Sequence, residues 1–136
     1  MEEKIKVHIA DDHKILIEGI IAVINTEENI LVEGYSLTGK EVTEWSQNSS
    51  ADILILDINM PELDGIEVLK FFKKKDIKIK TIILSSYDDV KLVEEMLALG
   101  AGEFTYVAHN YSSKKVWSYI IPSILYASYT FKLKPI

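Results

Sequence analysis

Three short stretches of this chain carry side chains that can react as a set: Asp11-Asp12, Asp57 at the end of "LILD" (54–57), and Ser85 directly after "TIIL" (81–84). Asp57 closes an apolar run and opens a loop that holds Met60-Pro61 and ends on Asp64-Gly65. A lone aspartate after such a run is most often a helix N-cap or a turn residue. Convergence of several changes that reading. Crowded carboxylates repel one another and raise their own pKa values unless a cation neutralises them. Oxygen ligands, with no cysteine and no suitably spaced histidine pair, suit Mg2+, which binds through one or two carboxylates plus water and substrate phosphate. At such a site a carboxylate can act as nucleophile and take a phosphoryl group as an acyl phosphate. Metal and hydroxyl then stabilise the charge on the equatorial oxygens. Asp57 is the expected nucleophile and Asp11, Asp12 and Ser85 its neighbours.

The elements that must bring these groups together show in two alternating periodicities. "IKVHIA" (5–10) alternates, and "LVEGY" (31–35), "ILIL" (53–56), "TIIL" (81–84) and "EFTYV" (103–107) are short β-prone segments, each followed by helical spacing. Leu16, Ile20 and Val23 are expected on one helix face, Ile66, Leu69 and Phe72 on a second, and Val90, Val93 and Leu97 on a third. Thr38 to Gln47 and Ser112 to Ser128 supply the other two helices. Alternating strands and helices, with continuous apolar strands in the middle, predict an α/β fold whose parallel sheet is covered on both faces. Ligands in open α/β sheets bind beyond the carboxyl ends of the strands, where the strand order switches. Asp11 and Asp12 follow strand one, Asp57 ends strand three and Ser85 ends strand four, so all four belong to that edge.

Bulk properties remove several function classes. At 136 residues the chain fits one domain. With 48% apolar and 26% charged residues it has an ordinary globular balance. No apolar stretch reaches membrane-spanning length and the N-terminus is charged rather than signal-like, so a cytoplasmic protein is expected. Absence of cysteine excludes disulfides and thiolate metal sites. A net charge of -6 argues against this chain gripping a phosphate backbone by itself, and Lys73-Lys74-Lys75 reads as the solvated end of a helix.

The stretches "ADDH" (10–13), "LDINMPELDG" (56–65), "LSSYDD" (84–89) and "LGAGEF" (99–104) together resemble the response-regulator receiver domain of two-component signalling, over nearly the whole chain. "IADDHKILIEGI" (9–20) and "SSYDD" (85–89) are most similar to the subgroup that carries a LuxR-type (NarL-like) helix-turn-helix after the receiver. The resemblance implies a flavodoxin-like, doubly wound, five-stranded parallel sheet (order 2-1-3-4-5) with five helices. It implies a receiver over 1–128, and over 129–136 a tail or the start of a linker to an absent output domain. It further implies that Asp57 accepts a phosphoryl group from a histidine kinase. Asp12, Asp57 and the backbone carbonyl of Asn59 would hold Mg2+, with Asp11 acting mostly through water. Ser85 would bond a phosphoryl oxygen after activation, and Phe104 would be the aromatic switch. No turnover of an external substrate is expected. The signal would leave as a change in protein contacts, for transcription regulation, with a homodimer through the strand-four to helix-five face. DNA would be reached only through an output domain that this chain lacks, and no membrane is involved. Pro61 and Gly65 read as loop-shaping, Gly65 by relieving a tight turn into helix three.

One position departs from the family. Three residues beyond the switch aromatic the family has a lysine, and this chain has Val107. Neither Ala108 nor His109 supplies the ammonium, a loop histidine being usually just solvated, and Lys114 and Lys115 belong to the next helix. A charge-assisted hydrogen bond to phosphate is worth about 1.5 to 3 kcal/mol, so phosphorylation is expected to be slower or to pull the switch poorly. A pseudo-receiver, signalling through protein contacts without phosphate, is the alternative that Val107 favours and the intact acidic set opposes. A Mg2+-dependent phosphohydrolase of the haloacid-dehalogenase type ranks last, because it wants a second acid where Asn59 stands, and a lysine for the phosphate.

In the last third, Ser112 reads as an N-cap, and Val116, Trp117, Ile120, Ile121, Ile124 and Leu125 form a broad apolar surface beside Tyr119 and Tyr126. Core packing accounts for most of them, and the surplus points to a partner surface. Pro122 predicts a kink. His8 reads as a satisfied or edge polar residue and Tyr87 as a loop aromatic. The chain stops after "FKLKPI", about where a LuxR-type linker would begin, which fits an excised receiver and a single-domain protein alike.

Overall fold

The computed structural model describes residues 4–84, the backbone of Ser85 and of 104–108, and Glu94, Glu95, Pro122, Ile124 and Leu125. Its elements run β1 (Ile5–Ala10), α1 (Lys14–Ile24), β2 (Ile30–Ser36), α2 (Gly39–Ser46), β3 (Ile53–Asp57), α3 (Gly65–Lys75), β4 (Lys80–Ser85) and β5 (Phe104–Ala108). The strands pair in parallel in the order β2-β1-β3-β4-β5. After β1 the chain adds β2 on one side and then crosses to add β3 on the other, which opens the crevice between the carboxyl ends of β1 and β3.

Burial follows from that topology. Every residue of β3 is buried, as a central strand under helices on both faces requires. Period two then sorts its side chains. Ile53 and Ile55 join Val7, Ile9, Ile17, Ile20, Ile24, Ile82 and Leu84 on one face, with Ile124. Leu54 and Leu56 join Val42, Ile66, Val68, Leu69, Phe72 and Ile83 on the other. Each fully buried side chain of this size contributes about 1.5 to 3 kcal/mol, against about 1 kcal/mol for an N-cap. The apolar stripes therefore fix the helices, and the caps trim their ends.

Helix α3 buries the expected stripe of Ile66, Leu69 and Phe72, plus Val68. Asp64 caps it by accepting from the Glu67 N–H at 2.9 Å, and Lys73, Lys74 and Lys75 lie exposed in its last turn, where they complement the helix dipole. Thr38 caps α2 in the same way, accepting from the Glu41 N–H at 3.1 Å. Helix α1 corrects the sequence reading. Its buried stripe is Ile17, Ile20 and Ile24, while Leu16 is only half-buried at the edge of the cluster and Val23 is partly covered. "ILIEGIIAVI" offers two apolar stripes one residue apart, and contact with the sheet, which periodicity does not contain, selects between them. Ile15, on the outer side, is 85% exposed.

His8 is buried rather than an edge residue. Its Nδ1 lies 3.0 Å from Glu33 Oε1 and its Nε2 2.7 Å from Ser36 Oγ. Because a carboxylate only accepts, Nδ1–H is the donor and Nε2 receives the serine hydroxyl. Glu33 is also the residue that the ladder skips: Val7 pairs with Val32 and His8 with Gly34, a bulge in β2.

The predicted fourth helix, with Val90, Val93 and Leu97, falls outside the described residues apart from helical, exposed Glu94 and Glu95. Of the fifth, Pro122 and Leu125 are helical and exposed and Ile124 is helical and buried. The Ser112 cap, the kink at Pro122 and the apolar surface from Val116 to Ile121 lie outside the described residues. Among those described, no helix is long and apolar enough to cross a membrane.

Candidate metal centre

Asp11 is the first residue past β1, held by donation of its N–H to the Ser36 carbonyl at 3.0 Å. Its side chain is 1% exposed. Oδ1 accepts from the His13 N–H at 2.7 Å and from His13 Nδ1 at 3.0 Å, whereas Oδ2 is buried with no hydrogen-bond partner among the described residues. Asp57, the last residue of β3, is equally buried, and its Oδ1 accepts from the Asn59 N–H at 3.1 Å. Asp12 lies on the exposed rim, with Oδ1 at 3.1 Å from His13 Nδ1. One ligand atom each from Asp11, Asp12, His13 and Asp57 falls within a sphere of separations of 4.8 Å.

The loop after Asp57 is pinned by backbone. The Ile58 N–H donates to the Leu84 carbonyl at 3.2 Å and the Gly65 N–H to the Ile58 carbonyl at 2.9 Å, folding the loop back onto its own start. Gly65 has a different reason from the one the sequence suggests. A Cβ there would stand 2.8 Å from Ile58 Cα and 3.0 Å from the Asp57 carbonyl oxygen, so close approach of two backbones requires the glycine. The left-handed residue of this turn is Glu62, at φ 69°. Gly39, first in α2, is equally constrained: a Cβ would overlap the Leu63 carbonyl.

The electrostatics match the geometry. Burial pushes the Asp11 carboxyl above its ordinary value, and the bonds from His13 oppose the rise only in part. The hydrogen bond to Asp11 raises the His13 imidazole, with the charges of Asp12 and Asp57 adding to it. A buried carboxylate oxygen without a donor, among further carboxylates, is the arrangement that a divalent cation completes. The oxygen donors of Asp11, Asp12 and Asp57 thus fit Mg2+.

The expected set therefore meets at one place for Asp11, Asp12 and Asp57, and Asn59 joins through its N–H. The backbone of Ser85 ends β4 opposite Ala108, one step beyond the pairing of Asp57 with Leu84. Phe104 opens β5 opposite Thr81, and Val107 pairs with Leu84. The side chains of Ser85, Phe104 and Val107, and all of Tyr87, His109, Lys114 and Lys115, lie outside the described residues. Sequence reasoning missed His13. Its signal was adjacency to the aspartate pair, at the turn into α1.

Comparison with known proteins agrees with this geometry. The family model for the response regulator receiver domain matches residues 7–114. The chain is 32% identical over 112 residues to the response regulator protein VraR of Staphylococcus aureus, covering 82% of this chain and 53% of VraR. It is 29% identical over 103 residues to the transcriptional regulatory protein DegU of Brevibacillus brevis, covering 76% of this chain and 44% of DegU. The chain thus spans about half the length of the curated relatives it matches. Among solved structures it is similar to the response regulator domain of Thermotoga maritima CheB, with TM-score 0.77, 26% identity, and 98% and 100% of the two chains covered. The NarL signal receiver domain of Mycobacterium tuberculosis gives TM-score 0.78 at 24% identity over 93% and 98%, a likeness of fold. With its sheet order, its acidic crevice and this match, the chain belongs to the response regulator receiver domain family.

Proposed function

We propose that this receiver takes a phosphoryl group from a histidine kinase onto Asp57 and passes the change on as altered protein contacts, for transcription regulation. The observation that carries the reading is the meeting of Asp11, Asp12 and Asp57 at the carboxyl ends of β1 and β3. A carboxylate oxygen of Asp57 attacks phosphorus, the P–N bond of the phosphohistidine breaks, and the imidazole leaves with the electron pair. Asp11, Asp12, Asp57 and the carbonyl of Asn59 would hold Mg2+, which would supply charge neutralisation on the phosphoryl oxygens. The Asn59 N–H donates to Asp57 Oδ1 at 3.1 Å and orients the carboxylate at the end of β3. Ser85 is one register step from Asp57 and bonds a phosphoryl oxygen, and Phe104 is the switch residue. Two further helices complete the doubly wound layout, and DNA is reached through an output domain.

The test is labelling of the full chain with acetyl phosphate and Mg2+, read by intact mass. One added phosphoryl group that disappears in Asp57→Asn and in the absence of Mg2+ is expected. Labelling that survives Asp57→Asn overturns the assignment. Val107, paired with Leu84 where the family has its lysine, favours a second reading: a receiver that signals through contacts without phosphate. Failure of the wild type and of Val107→Lys to label supports that one.

A further inference from the structure

We infer that His13 is a metal ligand, and that its imidazole turns the oxygen site into a mixed nitrogen-oxygen site that selects first-row transition ions over Mg2+. The inference rests on the receiver reading of the acidic crevice and adds a residue to it. His13 Nδ1 lies 3.0 Å from Asp11 Oδ1 and 3.1 Å from Asp12 Oδ1. Neighbouring ligand atoms around a six-coordinate ion with bonds of about 2.1 Å are about 3 Å apart, so the three atoms already have the spacing of adjacent ligands. The widest separation in the set of four, 4.8 Å, exceeds the roughly 4.2 Å span of such an ion by a small closure.

Two further observations point to a cation at this place. Asp11 Oδ2 is buried and lacks a donor among the described residues, so the crevice has an acceptor that none of them satisfies. His13 is the N-cap residue of α1, yet its side chain makes no capping hydrogen bond and turns toward the carboxylates. Its backbone N–H donates to Asp11 Oδ1 at 2.7 Å, which fixes the ring's origin beside the acids. The ring is mostly exposed, so it can move from donating to carboxylates to binding an ion without disturbing the core. Imidazole is a better ligand for manganese, cobalt, nickel or zinc than for Mg2+, which prefers oxygen and keeps its waters.

Metal binding to the full chain tests this with Mg2+, Mn2+ and Co2+ as probes, on the wild type, His13→Asn and Asp12→Asn. Asparagine is itself a favoured N-cap, so His13→Asn is expected to keep its far-ultraviolet circular dichroism and melting temperature. Loss of even an outer partner of a ligand typically weakens metal binding tenfold or more. His13→Asn should therefore weaken Co2+ by about tenfold or more and change Mg2+ little. Pulsed electron paramagnetic resonance of bound Mn2+ should show nitrogen coupling in the wild type and lose it in the variant. Nitrogen coupling retained in His13→Asn, or equal weakening of Mg2+ and Co2+, overturns the inference while the acidic site stands. Should neither ion bind the wild type, or should Asp12→Asn leave Mg2+ affinity unchanged, the acidic-site reading falls and this inference with it.

Discussion

The imidazole of His8 lies on the indole of Trp45, ring centroids 3.8 Å apart and planes 15° from parallel, and both rings donate to the same atom, Glu33 Oε1. Strand β1, the bulge of β2 and helix α2 are thus joined by one carboxylate. Burial lowers the pKa of His8 below 6.5, against the opposing charges of Glu33 and Glu41. A depressed pKa means that the unfolded chain takes up the proton first. The stability associated with His8 is therefore complete above pH 6.5 and is lost as pH falls through the lower, folded value. Melting curves between about pH 8 and pH 5 should fall more steeply on the acid side for the wild type than for His8→Phe, which keeps the stack on Trp45. Parallel curves would remove His8 as the cause.

Gly65→Ala should reach the nucleophile without touching its side chain. A methyl group 2.8 Å from Ile58 Cα and 3.0 Å from the Asp57 carbonyl must push one of two backbones. Overpacking of this kind costs about 1 to 3 kcal/mol. Urea unfolding should show that loss, and acetyl phosphate labelling should slow in the folded variant because the backbone carrying Asp57 has shifted.

Asp11 is a liability to the apo fold. Its raised pKa means that any stability tied to its proton is complete below the ordinary value of 3.8 and is lost as pH rises through the higher, folded value, so at neutral pH the buried charge opposes folding. Asp11→Asn should therefore be more stable than the wild type by about 1 kcal/mol in chelator. Excess Mg2+ should narrow or reverse the gap, since only the wild type gains from the ion. Calorimetry with and without Mg2+ checks both signs.

Val107→Lys should restore a charge-assisted contact to the phosphoryl group worth about 1.5 to 3 kcal/mol. Beryllofluoride binding, followed by NMR, should tighten about tenfold or more. An unchanged affinity would mean that a side chain at this point of β5 does not reach the phosphoryl site.

Much of the architecture could be read from period alone. A run such as Ile53–Asp57, apolar on both parities and closed by an acid, has few places to go except the centre of a parallel sheet with its end at the crevice. Asp11, Asp12 and Asp57 could be grouped because strand ends of one direction share an edge. What stayed hidden depends on partners distant in sequence or on atoms absent from a side chain. Leu16 and Ile17 have equal claims to the core until the sheet is present. Gly65 looks like a turn residue, and only the approach of Ile58 and the Asp57 carbonyl gives it another reason. His8 finds Glu33 and Ser36 25 and 28 positions away, across a bulge that no local pattern announces. His13 was in plain view, but its ring conformation was not.

Strand β2 carries one residue more than β1 needs, because Glu33 is passed over between the pairs Val7–Val32 and His8–Gly34. Beyond it the pairing resumes and runs to Ala10–Ser36, where the Ser36 carbonyl receives the N–H of Asp11. A chain without Glu33 could keep every pair on either side and still present Ser36 to Asp11, but His8 and Trp45 would lose their shared acceptor. The ladder can therefore spare this residue while the clasp of His8 and Trp45 cannot, and the bulge serves to turn the Glu33 carboxylate to those two rings without moving the first acid of the crevice.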